Sequence, residues 1–188
     1  MRRYRIFILV VFTLVGIAVS VEAQIGKRVS IQAGTPEDKA LAVINATADP
    51  AQKLALMDKF LAEYGKGDMA VVAYELYIAH YMVQKDYDKV FEYGEKLLGI
   101  DPENFPVSVN LVRAAQEKGD QARLFAAGER VAGLLARFQA QPAPEGTAAE
   151  VWQHEKAKAL EDVRDNITYV QYALFNSAYQ TQIGRAHV

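Results

Sequence analysis

The chain has 188 residues, with 21 basic and 23 acidic side chains, a formal net charge of -2 and no cysteine. These numbers exclude disulfides, thiolate metal sites, a catalytic thiol and a lipid-modified N-terminal cysteine. The slightly acidic balance also argues against a nucleic-acid partner.

Residues 1–23 carry a basic head (Arg2, Arg3, Arg5), an apolar run from Ile6 to Val19, and the small residues Val21 and Ala23 before Gln24. This is the layout of a secretory signal peptide cleaved after Ala23, which predicts an exported protein, periplasmic or extracellular. The apolar run is shorter than the roughly 20 residues that span a hydrocarbon core, so an uncleaved membrane anchor is the second reading and the only membrane association expected. Cleavage removes three arginines and one glutamate, leaving 165 residues with 18 basic and 22 acidic side chains. A chain of that length buries a substantial core without cross-links.

Residues 24–34 include Gly26, Lys27, Arg28, Ser30 and Gly34 without helical period and read as a flexible leader. At Thr35-Pro36-Glu37-Asp38 a helix starts: Thr35 can accept from the backbone at Asp38, Pro36 suits the first turn, and the acids favour the positive helix end. Ala40, Leu41, Ile44 and Ala48 form its apolar face. Asp49-Pro50 stops this helix and starts another, with Leu54, Met57, Phe60, Leu61 and Tyr64 on one side. The first helical hairpin thus covers about 35–67.

The next hairpin, about 68–103, has Tyr74, Tyr77, Ile78 and Tyr81 at helical spacing and a turn at Lys85-Asp86. Its second helix carries Val90, Tyr93, Gly94, Leu97 and Leu98 inward, and Asp101-Pro102 closes it. Thirty-four residues on, Lys85-Asp86 falls on Gly119-Asp120, Gly94-Glu95-Lys96 on Gly128-Glu129-Arg130, and Gly99 on Gly133. A recurring glycine that costs about 1 kcal/mol of helix propensity implies close helix approach in both copies.

A third hairpin, 105–138, has Leu111, Ala114, Ala115, Leu124, Val131, Leu134 and Leu135 as its core face. Residues 139–147, QAQPAPEGT, form a loop, and one long helix is expected over 148–182, with Val163, Ile167, Val170, Leu174 and Ser177 at spacings of three and four. Within it, Tyr172-x-Leu174-Phe175-x-x-x-Tyr179-x-x-Gln182 echoes Tyr74-x-Leu76-Tyr77-x-x-x-Tyr81-x-x-Gln84. The final six residues, IGRAHV, are what ATC-GGA-AGA-GCA-CAC-GTC encodes, which matches a common sequencing adapter. Residues 183–188 are therefore expected to be an artefact, and the natural protein to diverge after about Gln182.

The 34-residue period, with Tyr74, Tyr81, Asp86-Tyr87, Val90 and Pro102 at the pattern positions, resembles the tetratricopeptide repeat family. The likeness is strongest over 71–104, weaker over 105–138, and slight over 35–68 and 167–182. Ile78, Lys85 and Val90 depart from the small residue, glycine and alanine usual in the family. The resemblance implies an all-α fold: a right-handed superhelical array of antiparallel helix pairs, whose first helices line a concave groove for peptides or partner proteins. The groove positions it implies are Glu75, Ala79 and Met82 in one repeat and Asn110, Arg113 and Gln116 in the next. Members that clamp a C-terminal carboxylate use Lys and Asn on this face, and Glu75 at the matching place does not support that mode.

Catalytic and ligand chemistry finds no foothold. His80, His154 and His187 lie in different elements, and the serines (Ser20, Ser30, Ser108, Ser177) sit in no Gly-x-Ser-x-Gly turn. Gly65-Lys66-Gly67-Asp68 lacks the preceding strand of a phosphate loop. No enzyme activity, cofactor or metal is expected. The tyrosines read as packing residues, with Tyr77 retaining some claim to the surface, and Trp152 on a mixed-charge helix would anchor a partner if exposed. The expectation is a non-catalytic protein- or peptide-binding scaffold. Alternatives are the N-terminal repeat region of a longer enzyme, or a membrane-anchored assembly factor of the cell envelope.

Overall fold

The computed structural model describes residues 25–26 and 29–186; the signal-peptide and anchor readings of residues 1–23 lie outside them, as do Lys27, Arg28 and His187. Among the described residues there are eight helices and no strand: α1 (Pro36–Ala46), α2 (Pro50–Tyr64), α3 (Asp68–Gln84), α4 (Tyr87–Ile100), α5 (Phe105–Lys118), α6 (Gln121–Ala140), α7 (Ala149–Asp162) and α8 (Arg164–Ala186). The chain is all-helical in this range.

Side-chain caps fix most of the helix starts. Thr35 Oγ1 accepts from Asp38 N at 3.3 Å, Asp49 Oδ1 from Gln52 N at 2.7 Å, Asp86 Oδ1 from Lys89 N at 3.2 Å, Asn104 Oδ1 from Val107 N at 3.0 Å, and Asp120 Oδ1 from Arg123 N at 3.0 Å. Each such bond satisfies a backbone donor the helix leaves free and is worth about 1 kcal/mol.

The two turns at 34-residue spacing are built alike. Lys85 (φ 57°, ψ 25°) and Gly119 (φ 71°, ψ 20°) are both left-handed. Asp86 N–H donates to Tyr81 O at 3.0 Å and Asp120 N–H to Ala115 O at 2.9 Å, closing α3 and α5 with the same bond pattern. Each two-residue connection then turns the chain back on itself.

Consecutive helices from α1 to α6 pack on one another, and α3 also touches α5 directly, as α5 touches α8. The main core joins residues of α3 to α6 with Val170 and Ala173 of α8, around the fully buried Val90, Leu97, Val112 and Ala115. A second cluster ties Ile44 of α1 and Met57 and Phe60 of α2 to Ala73 and Tyr77 of α3. Ala48, expected on the α1 face, lies beyond that helix and is exposed.

Two expectations change. The long helix expected over 148–182 is two helices separated at Val163, because its halves serve different neighbours. The α7 half puts Trp152 against Phe138 at the end of α6, while Val170, Ala173, Leu174 and Ser177 of α8 face the α5–α6 pair. The leader is also engaged: Ile25 and Val29 pack on the main core, and Ile25 also touches the Phe138–Trp152 cluster.

Candidate partner-binding face

The residues implied for the groove lie on the first helix of each pair and divide into two groups. On α3, Glu75 and Ala79 are exposed and Met82 is half-buried, at spacings of four and three that put them on one face. The Glu75 carboxylate turns toward the start of α5 and accepts from Asn104 Nδ2 at 3.2 Å. Burial of the carboxylate end raises its pKa above the ordinary value; the Asn104 bond lowers it in part, and the neighbouring Asp101 raises it. Asn104 is buried, caps α5 and also donates to Asp101 at 3.2 Å, so it links α3 to the α4–α5 connection.

On α5, Asn110 is half-buried, but Arg113 and Gln116 are not open to a ligand. Arg113 Nη2 donates to Asn166 Oδ1 at 2.9 Å and its guanidinium lies 5.0 Å from the Tyr169 ring centre, while Tyr169 Oη donates to Gln116 Oε1 at 2.6 Å. These positions form the seat of α8, and Arg113 Nε is buried without a hydrogen-bond partner. The two hydrogen bonds join residues 53 apart, outside the 34-residue period, and Asn166 and Tyr169 carry no sequence signal that would announce them. Burial raises the Tyr169 hydroxyl pKa, partly offset by Arg113.

Trp152 is not a partner anchor. It is 6 % exposed, packs on Phe138, and donates from Nε1 to Gln141 O at 3.1 Å. Lys156, equally enclosed, donates to Gln139 O at 2.8 Å and Gln141 O at 3.2 Å. A cation on the last carbonyls of α6 satisfies acceptors that the helix end leaves free and complements its negative pole. The mixed-charge helix is therefore docked by one tryptophan and one lysine.

Tyr77 likewise belongs to the interior, at 1 % exposure. Its ring stacks on Tyr93 with centres 4.3 Å apart, and its hydroxyl donates to Asp58 Oδ1 at 2.5 Å. Loss of hydration, then the Asp58 bond and charge, push the phenol pKa strongly upward. Tyr74 and Tyr81 surround the same Tyr93 ring at 6.1 and 5.6 Å. The tyrosine cluster is a stitch between α2, α3 and α4.

On the other side of the stack, α4 and α6 flank a groove of about 340 Å³ with Leu111 of α5 among its lining residues. Asp88, Glu92 and Glu95 face Arg123 and Arg130 across it, and the Arg123 guanidinium lies 4.2 Å from the Phe91 ring centre. Glu92 bonds to both Lys89 and Lys96 at 2.7 Å, which pulls its pKa down to about 2. One ion pair crosses this exposed surface, Arg123 to Asp88 at 3.9 Å, while Glu92 is held by lysines of its own helix.

Among the described residues no group of three His, Asp or Glu side chains is placed to hold a metal ion, and no helix is long and apolar enough to cross a membrane. No protein-family model, no curated protein and no solved structure matches the chain.

Proposed function

We propose that this chain is a non-catalytic scaffold of the cell envelope or periplasm, built on tetratricopeptide-like repeats, that binds a protein or peptide on the side formed by its first helices. The observation that carries the reading is an asymmetry between the two sides of the stack. First helices contact one another directly, α3 with α5 and α5 with α8, whereas α4 and α6 are parted by the 340 Å³ groove. A layer tighter on one side than on the other curves toward the tight side, and this asymmetry supports reading the first helices as the inner wall of a solenoid-like array, the right-handed superhelix that the resemblance implies. The turns and capping bonds repeated at 34 residues support the same reading.

Glu75 and Ala79 on α3 are exposed and Met82 and, on α5, Asn110 are half-buried; these are the implied wall positions that remain, because α8 takes up Arg113 and Gln116. A wall of packed helices is preformed, so binding orders little of the scaffold and little affinity is lost to it. Photo-crosslinking in the native cell tests the proposal. A benzophenone side chain at Ala79 is expected to give a discrete protein adduct, and one at Glu129, on the outer surface of α6, is expected to give none. Equal labelling from both positions, or none from Ala79, would remove the support for an inner binding wall.

A further inference from the structure

The groove between α4 and α6 sets acids of one helix against arginines of the other in a fixed register. Arg123 stands 35 residues after Asp88, and the two meet across the groove at 3.9 Å. The same interval, two turns on, relates Glu95 to Arg130, which line the same groove. At that end no ion pair forms. Among the described residues neither Glu95 nor Arg130 has a hydrogen-bond or ion-pair partner, and Arg130 is half-buried.

The other charges in the groove are committed. Asp88 also takes Lys118, Arg123 lies against the Phe91 ring, and Glu92 is held by Lys89 and Lys96. A half-buried guanidinium has lost part of its hydration, and a carboxylate restores it best, through two parallel hydrogen bonds to the planar fork. Glu95 offers the matching acceptor for an ammonium. The floor beside them is apolar: Phe91, Leu111 and Ala127 belong to the main core and line the groove as well. Leu111 reaches it from α5 past Gly94, which has no side chain to block the approach.

The dimensions set the size of the ligand. Each wall, from Asp88 to Glu95 and from Arg123 to Arg130, runs for about two helical turns, roughly 10 Å. The volume of about 340 Å³ lies at the small end of the roughly 300–1,000 Å³ that small-molecule sites occupy. A partner strand of ordinary length, about 17 Å, would overrun it.

We infer that the α4–α6 groove binds a small zwitterion of the amino-acid kind with an apolar side chain. Arg130 takes the carboxylate, Glu95 takes the ammonium, and the side chain lies on Phe91, Leu111 and Ala127. The two charges of the ligand complete the crossing that the protein leaves open at this end. The groove is separate from the inner wall around Ala79, and the inference does not depend on what that wall binds.

Calorimetric titration of the full chain with L-phenylalanine and with the dipeptide alanylphenylalanine tests it. Saturable binding of at least one is expected, and the tighter of the two tells whether the free amino acid or a peptide is the source. Phenylalaninamide, which lacks the carboxylate, and N-acetylphenylalanine, which lacks the ammonium, are expected to bind about tenfold more weakly or worse. Arg130→Gln is expected to abolish the preference for phenylalanine over its amide, and Glu95→Gln the preference over the N-acetyl form. Unchanged circular dichroism and melting certify both variants. No saturable binding of either probe at about 10 mM would overturn the inference. So would equal binding of the charge-deleted analogues, or preferences that both variants leave intact.

Discussion

Gly94 and Leu111 set the distance between α4 and α5: a Cβ on Gly94 would lie 2.6 Å from Leu111 Cδ2 and 3.3 Å from its Cγ. Leu111 is itself buried in the main core, and making room would turn its side chain out of that packing toward the α4–α6 groove. Gly94→Ala is expected to destabilise the protein by about 1–2 kcal/mol, with overpacking outweighing the gain in helix propensity. Gly99, in the same helix, has nothing near its missing side chain. Gly99→Ala is expected to stabilise by about 0.5–1 kcal/mol. Urea titrations of the two variants check the difference in sign.

Lys85 is the one non-glycine residue with positive φ among the described residues, and it occupies the turn position that glycine fills at 119. A left-handed backbone costs a residue with a side chain about 1 kcal/mol. Lys85→Gly is expected to raise stability by roughly that amount and Gly119→Lys to lower it similarly. Thermal unfolding of both variants tests whether the two turns are energetically equivalent as well as alike in shape.

Trp152 is the only tryptophan and Lys156 holds its helix to the end of α6. Lys156→Ala leaves Gln139 O without this donor and Gln141 O with Trp152 alone. The tryptophan emission is expected to shift to longer wavelength as α7 loosens, while far-ultraviolet circular dichroism changes little. An emission maximum equal to that of the parent protein would show that the Trp152 packing and its bond to Gln141 hold α7 without Lys156.

The Tyr77 phenol is held protonated in the fold, above its ordinary value of 10.0, first by burial and then by Asp58. The folded state binds that proton more tightly than the unfolded chain, so the contribution is complete below pH 10 and is lost as pH rises beyond it. Stability is expected to fall steeply on the alkaline side. Tyr77→Phe is expected to lower stability at pH 7 by about 2 kcal/mol, through loss of the bond to a carboxylate, and to make the alkaline fall shallower. Chemical denaturation between pH 7 and 11 checks both parts.

Local chemistry is what the sequence displays best. Thr35, Asp49 and the Lys85-Asp86 turn announce their helix ends, and Val90, Gly94, Leu97 and Leu98 show their inward face by period alone. The failures are tertiary. Trp152 and Lys156 stand on a mixed-charge helix whose own neighbourhood does not record Phe138 or the α6 carbonyls that enclose them. Arg113 and Gln116 occupy the first-helix positions that Ala79 and Met82 hold 34 residues earlier, yet are closed by Asn166 and Tyr169, which arrive after an insertion that breaks the period. The tyrosine pattern in α8 matched α3 in sequence, while burial differs because no described helix covers it.

The central claim, that a partner lies on the first-helix wall, is tested most directly by calorimetric titration of a peptide selected on the chain from a display library. The variants are Ala79→Arg and Met82→Glu on that wall and Glu129→Arg on the outer side. The account predicts that each wall variant weakens binding about tenfold or more, by adding bulk or charge to the contact, while Glu129→Arg leaves affinity unchanged. Loss of affinity at Glu129, with none at Ala79 or Met82, would contradict it.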